Sequence, residues 1–331
     1  MRKSIKSNSK IKIQAELKQL RKELRKIKNE KAILEKCAGC LQASTKVKFE
    51  FIDRQLSNFA VKDMCRIVSV SSSGYYKWRS RTPSKRAQHN LVLLEEIKKV
   101  HYRNKKRYGS PRIAKELQAL GFHASEKLIR KLMKSASLEN VYKKKFRKTT
   151  NSSHKYPTVE NKLQRNFNAN KKNEVWVSDI TYIWAGKRWL YLTVVIDLYN
   201  RKVVGWSLST SLKPKYTTIE AFKKAITKKL IRESSPLIFH SDRGIQYACK
   251  EFVEELSQYK EIIRSMSRKG DCWDNAVSES FFKTLKTELI YQNNYQTKKE
   301  TEQSISAYIK SFYNKQRRHS YLDNQTILEY Q

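Results

Sequence analysis

The chain has 331 residues, with 70 Lys plus Arg against 31 Asp plus Glu, a formal net charge of +39, 39% hydrophobic residues and 11% aromatic residues. That length suits two or three domains, the apolar and aromatic content excludes a wholly disordered chain, and the lack of any run of about 18 uncharged apolar residues excludes a membrane-spanning helix. The basic N-terminus has no apolar run behind it, which excludes a secretory signal, and the five cysteines (37, 40, 65, 249, 272) form no even framework and read as reduced thiols of a cytosolic protein.

The charge is unevenly placed: residues 1–174 carry a net +31 and residues 175–331 a net +8. A polyanion partner is the economical reading. Nucleic acid comes first, because Lys and Arg release condensed counterions from phosphates; an acidic membrane surface and a merely basic soluble protein are the weaker readings.

In chain order, Ile13, Leu17, Leu20, Leu24, Ile27 and Leu34 alternate steps of four and three, with Lys31 in the one polar core position and no Gly or Pro before residue 39. This predicts a short coiled coil and self-association; the alternative is an amphipathic helix packed on its own domain. Cys37 and Cys40 have zinc-ligand spacing, but no second pair follows, so two ordinary thiols are the preferred reading. Residues 61–79 have helix-turn-helix spacing: Val61, Met64, Cys65 and Val68 on one helix, a Ser-rich turn, then Tyr75, Tyr76, Lys77, Trp78 and Arg79 on a second. These basic and aromatic side chains suit phosphate contact and base stacking, or, for some of the aromatics, anchoring of a small core.

A second helical unit is expected over residues 90–134. Leu91, Leu94, Ile97 and Val100 line its first helix; Ser110 caps the next, with Pro111 in its first turn, and Gly121 stops it. Ser125 caps a third, with Leu128, Ile129, Leu132 and Met133 inward and Lys127, Arg130, Lys131 and Lys134 outward. The basic, apolar-poor stretch 143–173 reads as a linker that tracks a phosphate backbone.

From residue 175 the texture changes. Strands are expected at 175–183, 189–197, 203–209, 236–242 and 262–267, and helices at 217–230, 247–259, 274–291 and 298–314. This is a mixed α/β layout with helices on a five-stranded sheet. Three carboxylates stand out: Asp179 inside the first strand, Asp242 at the end of the fourth, and Glu279 one turn into a helix capped by Asp274. On that helix Phe282, Leu285 and Leu289 form the apolar stripe, and Glu279, Lys283 and Lys286 share a neighbouring face. Three converging carboxylates without thiols or paired His favour Mg²⁺ or Mn²⁺, and two such ions suit attack on a phosphodiester. Asp197 precedes a turn and Asp274 looks like an N-cap, so both are left out of the set.

The segments WVSDITYI, VVIDLYNRKVVGW, HSDRGIQY and SMSRKGDCWDNAVSESFFKTLKTE, in that order, resemble the catalytic core of the insertion-sequence-three family of transposases. DMCRIVSVSSSGYYKW and YGSPRIAKELQALG resemble its helix-turn-helix region, and YNKQRRHSYL its C-terminal signature. The resemblance implies an α/β ribonuclease-H-like (retroviral integrase) catalytic core behind an all-α N-terminal coiled-coil and helix-turn-helix region. It divides the chain into an oligomerisation helix (1–42), a DNA-binding region (46–140), a basic linker (141–173) and an integrase-type core with C-terminal helices (174–331). It implies a DDE triad at Asp179, Asp242 and Glu279, which also hold the metal, and an element-end contact at Lys286. It further implies metal-assisted cleavage, strand transfer by the freed 3′-hydroxyl, and multimers acting on terminal inverted repeats and target DNA. Lys283, Tyr76, Lys77, Arg79, Arg130 and Lys131 complete the expected DNA contacts.

The family's full-length product usually carries another helix-turn-helix before the zipper. The expectation is therefore a downstream reading-frame product, its other half supplied by frameshifting or by a separate upstream-frame protein, acting in the bacterial cytoplasm on nucleoid DNA. Asn324-Gln-Thr-Ile departs from a family Pro after Thr. The competing readings are a DNA-binding regulator with a decayed core, a ribonuclease-H-type nuclease, and a tyrosine or serine recombinase. An intact triad, a basic N-terminal half and the lack of an Arg cluster around a nucleophile stand against them in turn, and Tyr247 reads as packing or DNA contact.

Overall fold

The computed structural model describes residues 2–37, 39–141, 156–226 and 236–330, with the backbone alone at 2–13 and 272. It divides into two compact units, Met1–His89 and Asn90–Gln331.

The first unit is all helical: α1 (Arg2–Lys36), α2 (Thr45–Arg54), α3 (Val61–Ile67) and α4 (Ser72–Arg79). Its core gathers Ile33, Cys37, Ile52, Met64, Cys65, Val68 and Tyr75. Only the last turns of α1 contribute to it. Leu17, Leu20, Leu24, Ile27 and Leu34 of the heptad series stay exposed, and the side chain of Ile13 lies outside the described residues. Cys37 and Cys40 are not two reduced thiols but a disulfide. Gly39, at φ +86°, turns the chain after α1 and sets the two Cα atoms 5.3 Å apart, within bridging range. Cys65 and Cys249 are free and buried. The turn before α4 forms as its serines predict, with Ser71 Oγ accepting the Gly74 N–H at 3.0 Å.

α5 (Lys85–Arg103) leads into the second unit, followed by α6 (Ser110–Ala119) and α7 (Glu126–Ser135). Leu93, Ile97 and Val100 form the buried stripe of α5, whereas Leu91 is exposed. Leu93 rather than Leu91 is the residue packed against Ile113 and Leu117 of α6 and Ile129 and Met133 of α7. Gly109, not Ser110, occupies the N-cap of α6; Ser110 is the first helical residue and donates to Glu126 of α7 at 3.3 Å. Ser125 caps α7, leaving Lys127, Arg130, Lys131 and Lys134 exposed.

The sheet comprises β1 (Val175–Ala185), β2 (Arg188–Asp197), β3 (Val203–Ser209), β4 (Leu237–Ser241) and β5 (Ile262–Met266), in the order β3-β2-β1-β4-β5. β1, β2 and β3 are antiparallel neighbours, while β4 and β5 run parallel to β1, and parallel pairs require crossovers. The sheet is covered on both faces. Val175, Val177, Ile183 and Ala185 of β1 face a layer that includes α11 (Ala276–Glu288) and α12 (Lys298–Ala307). Trp176 faces the layer of α8 (Thr218–Ala225) and α10 (Lys250–Ser257). Gly205 of β3 allows α8 to close on the sheet, since a Cβ there would stand 2.3 Å from the Ala221 carbonyl oxygen.

Several helical expectations are corrected. Residues 227–230 lie outside the described residues, so α8 is described only to Ala225. The helix expected over 247–259 is two, α9 (Ile245–Ala248) and α10, because Cys249 is extended at φ −66°, ψ 155°. α12 continues as a π-helix over Tyr308–Tyr313. Residues 156–173, read as part of the linker, lie against the core: Leu163 is buried in it, and the Lys162 N–H donates to Ser265 at 2.9 Å.

Candidate active site

The last residue pair between the parallel strands β1 and β4 is Ser178 with Ser241. Asp179 and Asp242 each follow at the next position, so they stand side by side where the strands part, at the spacing of neighbouring strands, about 4.8 Å. Asp179 alternates with Val177 and Ile183 and so belongs to the α11 face of the sheet. Asp242 is held by a tight turn in which the Gly244 N–H donates to its Oδ1 at 2.9 Å.

The third carboxylate is brought in by α11. Asn275, the buried N-cap, donates from Nδ2 to the Ser178 carbonyl at 3.0 Å and so fastens the start of the helix to the residue preceding Asp179. Glu279 lies one turn further on, exposed at the same edge. Phe281, Phe282, Leu285 and Leu289 hold the helix on the sheet.

The electrostatics confirm the proximity. Asp179 is pushed well above the usual carboxylate range, first by burial and then by repulsion from Asp242 and, more weakly, Glu279; the Ile180 N–H and Lys286 oppose the shift. Lys286 is half-buried and feels Asp179, while burial holds its ammonium below the usual range. Lys283 is exposed. Among the described residues no group of three His, Cys, Asp or Glu side chains is gathered tightly enough to hold a metal ion. The donor set nevertheless fits one: three carboxylate oxygens suit a hard divalent cation, and their mutual repulsion is what such a charge would relieve.

Behind the carboxylates, His240 is buried between Ser265 at 2.9 Å and Ser267 at 3.2 Å, and burial lowers it to about 4, so it is neutral at pH 7. Tyr247 is fully buried with its hydroxyl 2.8 Å from Ser178 Oγ, which makes it a packing residue.

Asp274 is not the helix cap the sequence suggests. It is fully buried and gripped by Arg268 (2.8 and 3.0 Å), Arg165 (2.9 Å) and Asn161 (2.9 Å). The Arg268 hydrogen bond, ahead of the other contacts, holds its carboxyl far below the usual range. At the far end of α11, buried Glu288 accepts a forked pair of bonds from Arg317 at 2.7 and 3.1 Å and the Tyr308 hydroxyl at 2.7 Å. Arg318 bonds Glu116 of α6 at 2.6 Å, and Asn314 exchanges two hydrogen bonds with the Val203 backbone. The signature YNKQRRHSYL thus fastens the helical layer and the sheet edge. Its paired arginines were the available sequence signal, but their partners are distant in the chain.

In the first unit, Tyr75 is buried and donates to Asp53 at 3.0 Å, and Trp78 packs on Phe49, so both are core anchors. Tyr76 and Lys77 are exposed, and Arg79 is exposed beside Asp53 at 3.4 Å. Arg130 is exposed and pairs with Glu126 at 2.5 Å, next to exposed Lys131.

Comparison with known proteins gives this arrangement a family. Residues 169–272 match the model of an integrase core domain, residues 260–326 a second integrase core domain model, and residues 88–146 an HTH-like domain. Transposase InsF of insertion sequence IS3A from Escherichia coli (strain K12) is 35% identical over 279 residues, 83% of this chain and 95% of that protein. The chain belongs to the IS3 family of transposases. An uncharacterized 31 kDa protein of insertion element IS600 from Shigella sonnei is 39% identical over 265 residues, 79% of this chain and 94% of that protein. Among solved structures, the transposase resembles a simian T-cell lymphotropic virus intasome in complex with PP2A regulatory subunit B56 gamma, with TM-score 0.41 and 16% identity over 70% of this chain and 73% of that one. It also resembles the HTLV-2 integrase catalytic core in complex with magnesium, with TM-score 0.35 and 20% identity over 47% of this chain and 95% of that one. The fold of the transposase core is the ribonuclease-H-like fold of integrases, and its enzyme class is polynucleotidyl transferase. Among the described residues no helix is long and apolar enough to cross a membrane.

Proposed function

We propose that the transposase cleaves DNA at the ends of its element and joins the freed 3′-hydroxyls to target DNA, with Asp179, Asp242 and Glu279 as the catalytic triad. The observation that carries this is the adjacency of Asp179 and Asp242 on parallel strands, with the Glu279 helix fastened to β1 through Asn275 and Ser178. The three carboxylates would hold Mg²⁺ or Mn²⁺, two ions in the reading we favour, which would supply activation of a water or hydroxyl and stabilisation of the leaving oxygen. The chain's own part is positional: the Gly244 turn fixes Asp242, neutral His240 supports its strand, and Lys286 and Lys283 sit on α11 to contact the backbone of the element end.

Tyr76, Lys77 and Arg79 of α4 and Arg130 and Lys131 of α7 are assigned to double-stranded DNA at the terminal inverted repeats, supported by their exposure and, for Arg130 and Lys131, by the match of residues 88–146 to an HTH-like domain. The exposed leucine stripe of α1 is assigned to a homo-oligomeric coiled coil within residues 1–42. Residues 46–140 are assigned to DNA binding, 141–173 to a basic connection whose part from residue 156 on packs against the core, and 174–331 to catalysis, with an upstream-frame protein as further partner and nucleoid DNA in the cytoplasm as the setting. The test incubates DNA labelled at both candidate element ends with the protein and Mg²⁺, beside Glu279→Gln and a metal-free control. Metal-dependent nicking or strand transfer lost in the variant is the expected result; tight binding without cleavage, unrelieved by the upstream-frame protein, overturns it.

A further inference from the structure

α11 walls a cavity of about 250 Å³. Ser280 and Thr284 of α11, Arg112 of α6, Arg201 of the β2–β3 turn, and Arg317 and Tyr321 of the C-terminal segment enclose it. Three guanidiniums line this space; Glu288 answers Arg317 and Arg112, and Asp197 acts on Arg201 more weakly than burial does. Glu288 is fully engaged by Arg317 at 2.7 Å and stands 3.9 Å from Arg112. Arg201 is 7% exposed, its Nη2 donates to the Phe167 carbonyl at 3.1 Å, and the Tyr321 ring covers its guanidinium at 3.6 Å. Its Nη1 is buried with no hydrogen-bond partner among the described residues. Burial holds Arg201 and Arg112 below the usual guanidinium range. His319 on the same wall is depressed to about 3, first by burial and then by Arg317. A buried cation without an anion is costly, and forked guanidinium donors match the oxygens of a phosphate better than any other common anion except a carboxylate.

We propose that this cavity binds a phosphate, supplied by a phosphodiester of the DNA strand held at the neighbouring carboxylate edge. The assignment to DNA rests on the reading of Glu279 as an active-site residue. Ala276, one turn before Glu279, and Ser280, directly after it, both line the cavity, so the cavity borders the stripe of α11 that carries Glu279. Tyr321 is 45% exposed and closes the cavity from outside.

The test uses the full chain without divalent metal, so that cleavage does not enter the readout. The affinity for an element-end duplex is measured against salt for the wild type, Ser280→Glu and Arg112→Gln, with thermal unfolding in increasing inorganic phosphate as the second arm. Loss of one phosphate contact lowers the salt slope by about 0.9 and the affinity by about tenfold in each variant. Phosphate is expected to raise the Tm of the wild type and not of the variants, whose Tm without phosphate shows that they fold. Unchanged slopes with no phosphate effect overturn the proposal. A phosphate effect with unchanged slopes overturns the DNA assignment, in favour of a free phosphate ester. Metal-dependent cleavage by the wild type is scored separately with Glu279→Gln, so failure of the triad and failure of the cavity are distinguishable.

Discussion

α11 joins two regions that treat carboxylates in opposite ways. At its sheet edge, Asp179 is pushed up by burial and by repulsion from Asp242 and, more weakly, Glu279, with only a weak pull from Lys286. Just before the helix and at its end, Asp274 and Glu288 are buried deeper but saturated with guanidinium donors. Burial alone therefore does not mark a working carboxylate. Asp274 and Glu288 are held in the ionised form by guanidinium donors, whereas Asp179 is pushed toward the neutral form by its neighbours.

The sharpest way to break this comparison is to neutralise each set. Asp179→Asn or Glu279→Gln is expected to lower end cleavage by at least about a thousandfold while Tm holds or rises slightly, because like-charge repulsion is relieved. Labelled-end cleavage and thermal unfolding read the two effects, and a Tm that falls along with activity would break the contrast. Glu288→Gln should do the reverse. It leaves Arg317 buried without its anion, a loss of about 3–5 kcal/mol in denaturant unfolding, with cleavage per folded molecule retained.

pH sharpens the contrast further. His240 titrates at about 4 in the folded state against about 6.5 unfolded. The unfolded chain takes up this proton first as pH falls, so about 3 kcal/mol of stability disappears between pH 6.5 and 4, a slope that denaturant melts measure and that His240→Asn should flatten. Asp274, depressed by Arg268, adds stability above the unfolded carboxylate range that is lost on acidification. Asp179, raised by burial and its neighbours, has the opposite sign: protonation relieves it, and its Asn variant should gain stability toward neutral pH. The smallest effect belongs to the first unit. Lys77→Ala should weaken duplex binding a few-fold and lower the salt slope by about 0.9, with Tm unchanged.

The parts of the molecule that follow a local rule were legible in the sequence. The five strands, the Ser71 and Ser125 caps and the basic face of α7 all express short-range periodicity or hydrogen bonding. The misreadings share a different origin. Asp274 has the local position of a helix cap, yet Arg165 and Arg268 reach it from other segments and Asn275 takes the cap. Leu91 satisfies a helical repeat as well as Leu93 does, and only packing on α6 and α7 decides which is buried. The Cys37–Cys40 bond depended on the turn at Gly39 rather than on spacing.

By itself the sequence determined the family, because the segments WVSDITYI, HSDRGIQY and SMSRKGDCWDNAVSESFFKTLKTE are local and appear in the family's order. Only the tertiary structure decided which charges are answered within the fold. An ion pair such as Glu288 with Arg317, or a cluster such as Arg112, Arg201 and Arg317, depends on distances between segments far apart in the chain, and those distances exist only after the sheet and α11 have packed.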